Sequence, residues 1–193
     1  MNKPTRPWPS KSLQSQLRPI NKEKHLFFMQ KAILQAKISL KKEEVPVGAV
    51  VVDSDGNILG RGHNKIETVG CHTAHAEIIA IQKACKKIGD WRLDNCWIYV
   101  TLEPCLMCFG LIKLCRLKGL VFGATSDLFG FGFQKIDLPK QYNKKLLISR
   151  LKEKECTDIL KGFFKKIRKR ERSNDEAKSR SFRKSQKKAT RKT

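Results

Sequence analysis

The sequence predicts an α/β fold, in which helices pack against the faces of a β-sheet. Three observations favour this class. Short runs of apolar and β-branched residues alternate along the chain with segments whose apolar residues recur every three or four positions, as in an amphipathic helix. The apolar runs are continuous, which is typical of strands covered on both faces. The chain has 193 residues, which is the length of about one domain.

The first half of the chain predicts one helix followed by two strands. The helix covers about residues 24–40, where the apolar side chains form one face. The continuous apolar run 47–52 predicts a buried strand, and the Asp-, Gly- and Asn-containing segment 53–57 predicts a turn. The segment 58–63 can then pair back as a second strand, and a loop follows it.

The second half continues the alternation of helices and strands. The predicted elements are a helix at 74–87, a strand at 96–102, a helix at 104–114, a strand at 120–123 and a last helix at 151–169. Pro104 suits the first turn of its helix, because proline lacks the N–H that is unpaired at that position anyway. The Gly- and Phe-containing segment 126–145 is poorly periodic and predicts no regular element.

Basic residues are concentrated at the two ends of the chain. Lys and Arg number 41 against 18 Asp and Glu, and the formal net charge is +23. Residues 1–22 contain four prolines and predict a disordered or loosely attached N-terminal arm. Residues 171–193 are highly charged and low in hydrophobicity, which predicts a basic, disordered C-terminal tail. The folded domain is therefore expected to cover residues 23–170.

Composition disfavours several classes of protein. The sequence has neither a run of about 18 apolar residues for a membrane span nor the apolar stretch of a secretory signal, so we expect no membrane association and a cytoplasmic location. In that compartment the seven cysteines are expected to bind metal, act in catalysis or lie buried rather than form disulfides. The positive charge predicts a polyanionic partner, most simply a nucleic acid, with a merely solvated basic tail as the alternative.

Two short motifs contain the residue types of a catalytic metal site. Cys105 and Cys108 are three residues apart at a predicted helix start, so both sulfurs can lie on one side of the helix and share one metal ion. The imidazole of His75 would complete a three-ligand zinc site with a fourth position free for water, as catalytic zinc requires. Glu77 is then placed as a general acid/base. Each motif alone is a weak signal, but His-X-Glu followed by Pro-Cys-X-X-Cys is the signature of zinc deaminases.

Further motifs make the resemblance more specific. Over roughly residues 23–172 the sequence resembles the bacterial tRNA-specific adenosine deaminases, members of the cytidine deaminase-like superfamily. The matching segments are 44–50 (EVPVGAV), 60–64 (GRGHN), 73–77 (TAHAE), 99–108 (YVTLEPCLMC), 121–124 (VFGA), 155–156 and 163–164. The resemblance implies a three-layer α/β/α cytidine deaminase-like fold, with a central mixed sheet of about five strands flanked by helices. It makes residues 23–170 a deaminase catalytic domain.

The resemblance also implies an activity and a set of site residues. The activity is zinc-dependent hydrolytic deamination of adenosine to inosine at the wobble position of a tRNA anticodon, in an arginine tRNA. The implied enzyme is a homodimer that binds the anticodon stem-loop and holds one zinc ion per subunit. The implied site residues are the zinc ligands His75, Cys105 and Cys108, the proton shuttle Glu77, and the substrate contacts Asn64, Val47, Ala76 and Phe163. An amide such as Asn64 has both a donor and an acceptor with which to read a purine edge, whereas core packing is the alternative for Phe163.

Two other functions are compatible with the motifs. The first is a zinc deaminase of a free nucleobase or nucleotide, of the guanine or cytosine type. The second is a structural zinc module that binds RNA without catalysis, which predicts a closed site with His72 or Cys71 as a fourth ligand. The sequence departs from the family pattern at Cys71, His72, Phe109, Thr125 and Ser126, and in the Phe-rich segment 127–134.

Overall fold

The structure is a computed structural model that describes residues 22–133 and 146–189. Its helices are α1 (Lys22–Lys41), α2 (Ile66–Val69), α3 (Ala76–Ile88), α4 (Leu106–Leu114) and α5 (Lys154–Ala189), with a 3₁₀ turn at Phe131–Phe133. Its strands are β1 (Gly48–Val52), β2 (Ile58–His63), β3 (Trp97–Leu102), β4 (Gly119–Ala124) and β5 (Leu147–Arg150). The N-terminal arm predicted for residues 1–22 lies outside the described residues except for Lys22, which begins α1.

The five strands form one mixed sheet in the order β2-β1-β3-β4-β5. Strand β1 pairs antiparallel with both β2 and β3, whereas β3, β4 and β5 run parallel to one another. Parallel neighbours place their carboxyl ends at one edge of the sheet, and α4 begins shortly after the end of β3. This edge is where the first turns of the helices can meet.

The sheet is covered on both faces, which gives three layers. Because side chains alternate along a strand, Val51, Ile98 and neighbouring positions pack under α3 and α4 on one face. Val50, Tyr99 and their neighbours pack under α1 and α5 on the other face. The predicted three-layer α/β/α fold with a five-stranded mixed sheet is confirmed.

A close backbone approach fixes the position of α3 on the sheet. Gly60 and Gly62 of β2 lie directly under the backbone of α3, and a Cβ atom added at Gly62 would overlap the carbonyl oxygen of Ala76. A Cβ added at Gly60 would overlap the carbonyl oxygen of Ala80 in the same way. The two glycines therefore let the first two turns of α3 lie against the end of β2.

The structure differs from the sequence-based expectations in three elements. Helix α2 occupies part of the predicted loop after β2, and β5 was not predicted because all four of its residues are exposed and show no alternating pattern. Helix α5 continues to Ala189, where a disordered tail was expected from residue 171. Residues 171–189 contain no Gly or Pro and are rich in Lys, Arg, Glu and Ala, which favour helix. None of the helices in the described parts of the chain is long and apolar enough to cross a bilayer.

Candidate active site

The candidate site lies where the N-termini of α3 and α4 meet. His75 directly precedes α3 and Cys105 directly precedes α4, both with extended backbone, and Cys108 lies in the first turn of α4. The Nδ1 atom of His75 is 3.7 Å from the Cys105 sulfur and 3.4 Å from the Cys108 sulfur. All three atoms lie within 4.8 Å of one another. The fold thus brings these three side chains together.

The cluster has the donor set and spacing of a zinc site. Zinc bound tetrahedrally, with Zn–S distances near 2.3 Å and Zn–N distances near 2.0 Å, needs separations of about 3.5–3.8 Å between its ligand atoms. The observed 3.4 and 3.7 Å match that requirement. Within the described ranges, this trio is the one group of three or more metal-ligating side chains that converges in this way. Its two sulfurs and one nitrogen are the ligands that zinc prefers.

Hydrogen bonds inside the cluster shift its titratable groups. The pKa of Cys105 falls to about 4, chiefly because of hydrogen bonding with Cys108 and also with His75. The same contact, together with burial, raises the pKa of Cys108. The hydrogen bond with Cys105 raises the pKa of His75. The contact therefore favours the thiolate form of Cys105, which is the form in which cysteine binds metal.

Glu77 places a buried carboxyl group beside the cluster. Its side chain is only 3% exposed, and burial raises its pKa above the ordinary value for glutamate. One of its oxygens, Oε2, has no hydrogen-bond partner among the residues that the structure describes. A buried carboxyl oxygen without a partner is uncommon and is found where a group acts on a bound molecule. Glu77 can thus exchange protons with a molecule held at the cluster.

Three of the implied substrate contacts lie at the same edge of the sheet. Asn64 is 4% exposed, and its backbone N–H donates to the carbonyl oxygen of Val47 (3.0 Å). The next residue, Lys65, donates its N–H to the carbonyl of Ala74 (3.0 Å), which directly precedes His75 in the chain. Ala76 is the fully buried first residue of α3. The loop that carries Asn64 is therefore tied to the start of the helix that carries the cluster.

The two phenylalanines of α5 differ in their surroundings. Phe163 is 9% exposed and belongs to the core, whereas Phe164 is 43% exposed. Their ring centroids are 5.3 Å apart in an edge-to-face arrangement. Of the two, Phe164 is the ring that a bound molecule can reach from solvent.

Cys71 and His72 do not join the cluster. Both side chains are exposed, and the Cys71 sulfur lies 3.0 Å from the Thr73 hydroxyl. The converging group in the described chain therefore has three protein ligands and not four. This argues against the closed site that a purely structural zinc module requires.

The sequence did not single out Glu103, which holds a loop against the cluster. Its carboxylate accepts the backbone N–H groups of Ser126 (3.1 Å) and Gly132 (3.0 Å). A bridge between Cys105 and Gly130 joins the same loop to a member of the cluster. In the sequence, Glu103 is simply an acidic residue before Pro-Cys. Its hydrogen-bond partners lie more than 20 residues away, so no local pattern indicates its role.

The loop held by Glu103 packs on α4 through aromatic rings, and the tip of this loop is exposed. Phe109 of α4 stacks on Phe131 with parallel rings 4.2 Å apart. Leu128 and Phe129 at the tip are 81% and 71% exposed. The departures from the family pattern at Phe109 and in the Phe-rich segment therefore shape the loop beside the cluster.

Fold and site together define a deaminase of the cytidine deaminase-like architecture. The model of the MafB19-like deaminase family matches residues 23–168, so the chain belongs to this family. The tRNA-specific adenosine deaminase of Bacillus subtilis (strain 168) is 40% identical over 149 residues, which are 76% of this chain and 92% of that protein. These matches confirm the family resemblance predicted from the motifs.

Two solved structures share the fold and are more than 30% identical to this chain in sequence. A structure from a study of A-to-I editing by tRNA:A34 deaminases at the wobble position of transfer RNA has a TM-score of 0.62 and 35% identity. That match covers 70% of this chain and 99% of the other. A guanine deaminase from Bacillus subtilis has a TM-score of 0.52 and 31% identity over 76% of this chain and 95% of its own.

Proposed function

We propose that this protein is a zinc-dependent tRNA deaminase, which converts adenosine to inosine at the wobble position of an arginine tRNA in the cytoplasm. The observation that carries the proposal is the unpartnered, buried Glu77 carboxyl oxygen beside the His75, Cys105 and Cys108 cluster. The tRNA-specific relative and the structure from the tRNA:A34 deaminase study support adenosine in tRNA as the substrate.

The chemistry requires one group that both removes and delivers protons. In hydrolytic deamination, water adds to the carbon that bears the exocyclic amine, and the amine leaves as ammonia. A zinc ion held by His75, Cys105 and Cys108 would lower the pKa of a water molecule and polarise it for attack. Glu77 accepts the proton of the attacking water and passes it to a ring nitrogen. It then delivers a second proton to the leaving amine.

The target base must leave its stack to reach the cluster. In a single-stranded anticodon loop this costs little, since the base is not paired. The Asn64 carboxamide supplies a donor and an acceptor to the purine edge. The backbone beside Val47 and Ala76 forms the adjoining wall, where small groups let the base approach closely.

Charge and exposed rings support RNA as the partner. The last helix carries exposed basic side chains directly after Phe164, namely Lys165, Lys166, Arg168, Lys169 and Arg170. Such a row can bind phosphates, while an exposed ring can stack on an unpaired base. A small free base or nucleotide would use neither feature.

Exposed apolar residues support a homodimer. Helix α4 presents Leu106, Met107 and Leu114 to solvent at 41%, 41% and 51% exposure. Apolar patches of this kind are typical of surfaces that contact another protein. Because α4 also carries Cys108, a second subunit seated on it would lie beside the site.

The deciding experiment compares two kinds of substrate. Purified protein is incubated with bulk tRNA and, separately, with free nucleobases and nucleosides, and inosine and ammonia are measured. We expect inosine in tRNA, and we expect Glu77→Ala to abolish it. Deamination of free guanine or cytosine alone would replace the proposal by the alternative that the guanine deaminase match favours.

A further inference from the structure

A fully buried carboxylate lies next to the site but has no part in proton transfer. Glu44 is 0% exposed and sits between α1 and β1. Its carboxylate accepts the backbone N–H groups of Thr68 (2.6 Å) and Glu67 (3.2 Å). It also accepts the side-chain N–H of Asn64, from Nδ2 to Oε2, at 3.3 Å. Three donors thus converge on one buried acidic group.

These contacts keep Glu44 ionised. Burial by itself raises the pKa of a carboxyl group, but the hydrogen bonds from Thr68 and Glu67 outweigh it and bring the pKa of Glu44 below its ordinary value. An ionised carboxylate accepts hydrogen bonds and donates none. The side chain of Asn64 can therefore face Glu44 only with its nitrogen.

The backbone of Asn64 is held as firmly as its side chain. Its N–H donates to the carbonyl of Val47 (3.0 Å), and its own carbonyl accepts the hydroxyl of Ser39 (3.2 Å). Ser39 is fully buried and lies 3.2 Å from the Val47 carbonyl as well. With the backbone fixed on both sides, the remaining freedom of Asn64 is rotation of its carboxamide, and Glu44 is the group that limits it.

We propose that Glu44 is a positioning residue, which fixes the Asn64 carboxamide with Nδ2 toward Glu44 and so determines which atoms remain for the base. This inference rests on the proposed function, in which Asn64 contacts the target adenine. A carboxamide has nearly the same shape when its oxygen and nitrogen are exchanged. Without Glu44 the two orientations compete, and the base meets a donor where the productive orientation offers the Oδ1 acceptor.

Glu44→Gln changes the acceptor with almost no change in shape. The glutamine can keep its oxygen on the short bond to Thr68. Its NH₂ group then faces both Asn64 and the Glu67 N–H, which share the other carboxylate oxygen of Glu44, and this favours the flipped carboxamide. We expect kcat/KM on an anticodon stem-loop RNA to fall about 10- to 100-fold, mainly through KM, as for an unpaired polar contact. A loss smaller than about fivefold overturns the proposal.

The neighbouring Glu43→Gln is the matched control. This substitution removes a carboxylate from the same segment between α1 and β1. Glu43 is exposed, however, and its carboxylate oxygens lie 3.8 Å from the side-chain nitrogens of Lys166 and Arg170 in α5 rather than near Asn64. We expect its kcat/KM on the stem-loop to stay within about twofold of the wild type, because weak surface ion pairs contribute little. An equal loss in both variants would assign the effect to general charge and overturn the role of Glu44.

A paired substitution separates positioning from mere support of α2. Asn64→Asp alone places a second carboxylate beside Glu44, and we expect a large loss of activity. In Glu44→Gln/Asn64→Asp the donor and acceptor are exchanged across the pair, so an oxygen again faces the base. We expect kcat/KM at least tenfold above that of either single variant, as coupled residues show in double-mutant cycles. No gain over the better single variant means that Glu44 only supports the loop.

A measurement on the wild-type protein tests the inference even if the variants do not fold. The side-chain amide signal of Asn64, assigned in isotope-labelled wild-type protein through its connection to the Asn64 backbone signals, should exchange slowly with solvent. Fast exchange, as for a free carboxamide, overturns the proposal. Because this readout needs no substrate, an inactive wild type would refute the proposed function and leave the role of Glu44 to be decided by NMR.

Discussion

In the proposed function, single residues divide the chemistry of the site, with His75, Cys105 and Cys108 as metal ligands and Glu77 as the proton carrier. The pKa of Cys105 is lowered, whereas the pKa of Glu77 is raised. The first shift follows from hydrogen bonding with Cys108 and His75, and the second follows from the burial of the Glu77 carboxyl group. These residues were predictable from sequence because the motifs are local and their spacing sets the chemistry. Glu44 and Glu103 were not, because their partners are about 20 or more residues distant.

Substitution of Cys105 and of Glu77 should separate metal binding from catalysis. We expect Cys105→Ala to lose zinc, because two remaining donors do not hold it at catalytic geometry. Glu77→Ala should keep about one zinc ion per chain, since Glu77 is not needed as a ligand. Elemental analysis of the purified variants measures both. Equal loss of zinc in the two variants would make Glu77 a ligand.

The two adjacent phenylalanines should respond in opposite ways. Phe163→Ala removes a buried ring and should lower the free energy of unfolding by about 3–5 kcal/mol. Phe164→Ala should leave the unfolding transition nearly unchanged but weaken binding to an anticodon stem-loop by about 1–3 kcal/mol, the usual contribution of base stacking. Thermal unfolding and a binding titration provide the readouts. RNA binding that depends on Phe163 alone, at unchanged stability, would reverse the assignment.

Whole elements hold the site in place through their contact with the sheet. The close contact between α3 and β2 sets the direction of the first turn of α3. Strands β1, β3 and β4 were predicted because their apolar runs are buried on both faces. Helix α2 has four residues and β5 is exposed at every position, so neither has a periodic pattern to detect. Strand β5 depends on pairing with β4, and α2 donates two backbone N–H groups to Glu44, and neither contact is contained in a local pattern.

A methyl group added under α3 should destabilise the protein. In Gly62→Ala the new Cβ meets the Ala76 carbonyl, and we expect the free energy of unfolding to fall by about 1–3 kcal/mol, as in other overpacked sites. Gly162→Ala in α5 is the control, because nothing lies within 4 Å of its Cβ position. That substitution should stabilise the protein by about 0.5–1 kcal/mol. Chemical denaturation measures the free energy of unfolding of both variants. An unchanged value for Gly62→Ala would show that α3 can shift freely.

At the scale of the whole molecule, the fold and the charge serve different tasks. The three layers bring His75, Cys105 and Cys108 together at one edge of the sheet, and much of the positive charge lies on helix α5, which continues past the core. Helix α5 continues beyond residue 170, where high charge and low hydrophobicity predicted a disordered tail, because these residues also have the propensity to form helix.

Removal of residues 173–193 should affect RNA affinity and not folding. The deleted segment has 8 basic and 2 acidic residues, so tRNA binding should weaken and its dependence on salt should become shallower. Affinity is measured at several salt concentrations, and thermal unfolding serves as the control. A large drop in the midpoint of thermal unfolding would show that the segment packs on the domain.

The length of α5 has a further consequence for how the protein meets its partner. All the described side chains from Arg168 to Glu176 are exposed, and the helix backbone runs on to Ala189. At 1.5 Å per residue, the part from Arg168 onward is a rod of about 33 Å. A charged rod fixed at one end enlarges the target for diffusional encounter, so a polyanion that first meets the protein away from the His75, Cys105 and Cys108 cluster can still be captured. Removal of this part of α5 would then lower the association rate of the substrate and leave the turnover of bound substrate unchanged.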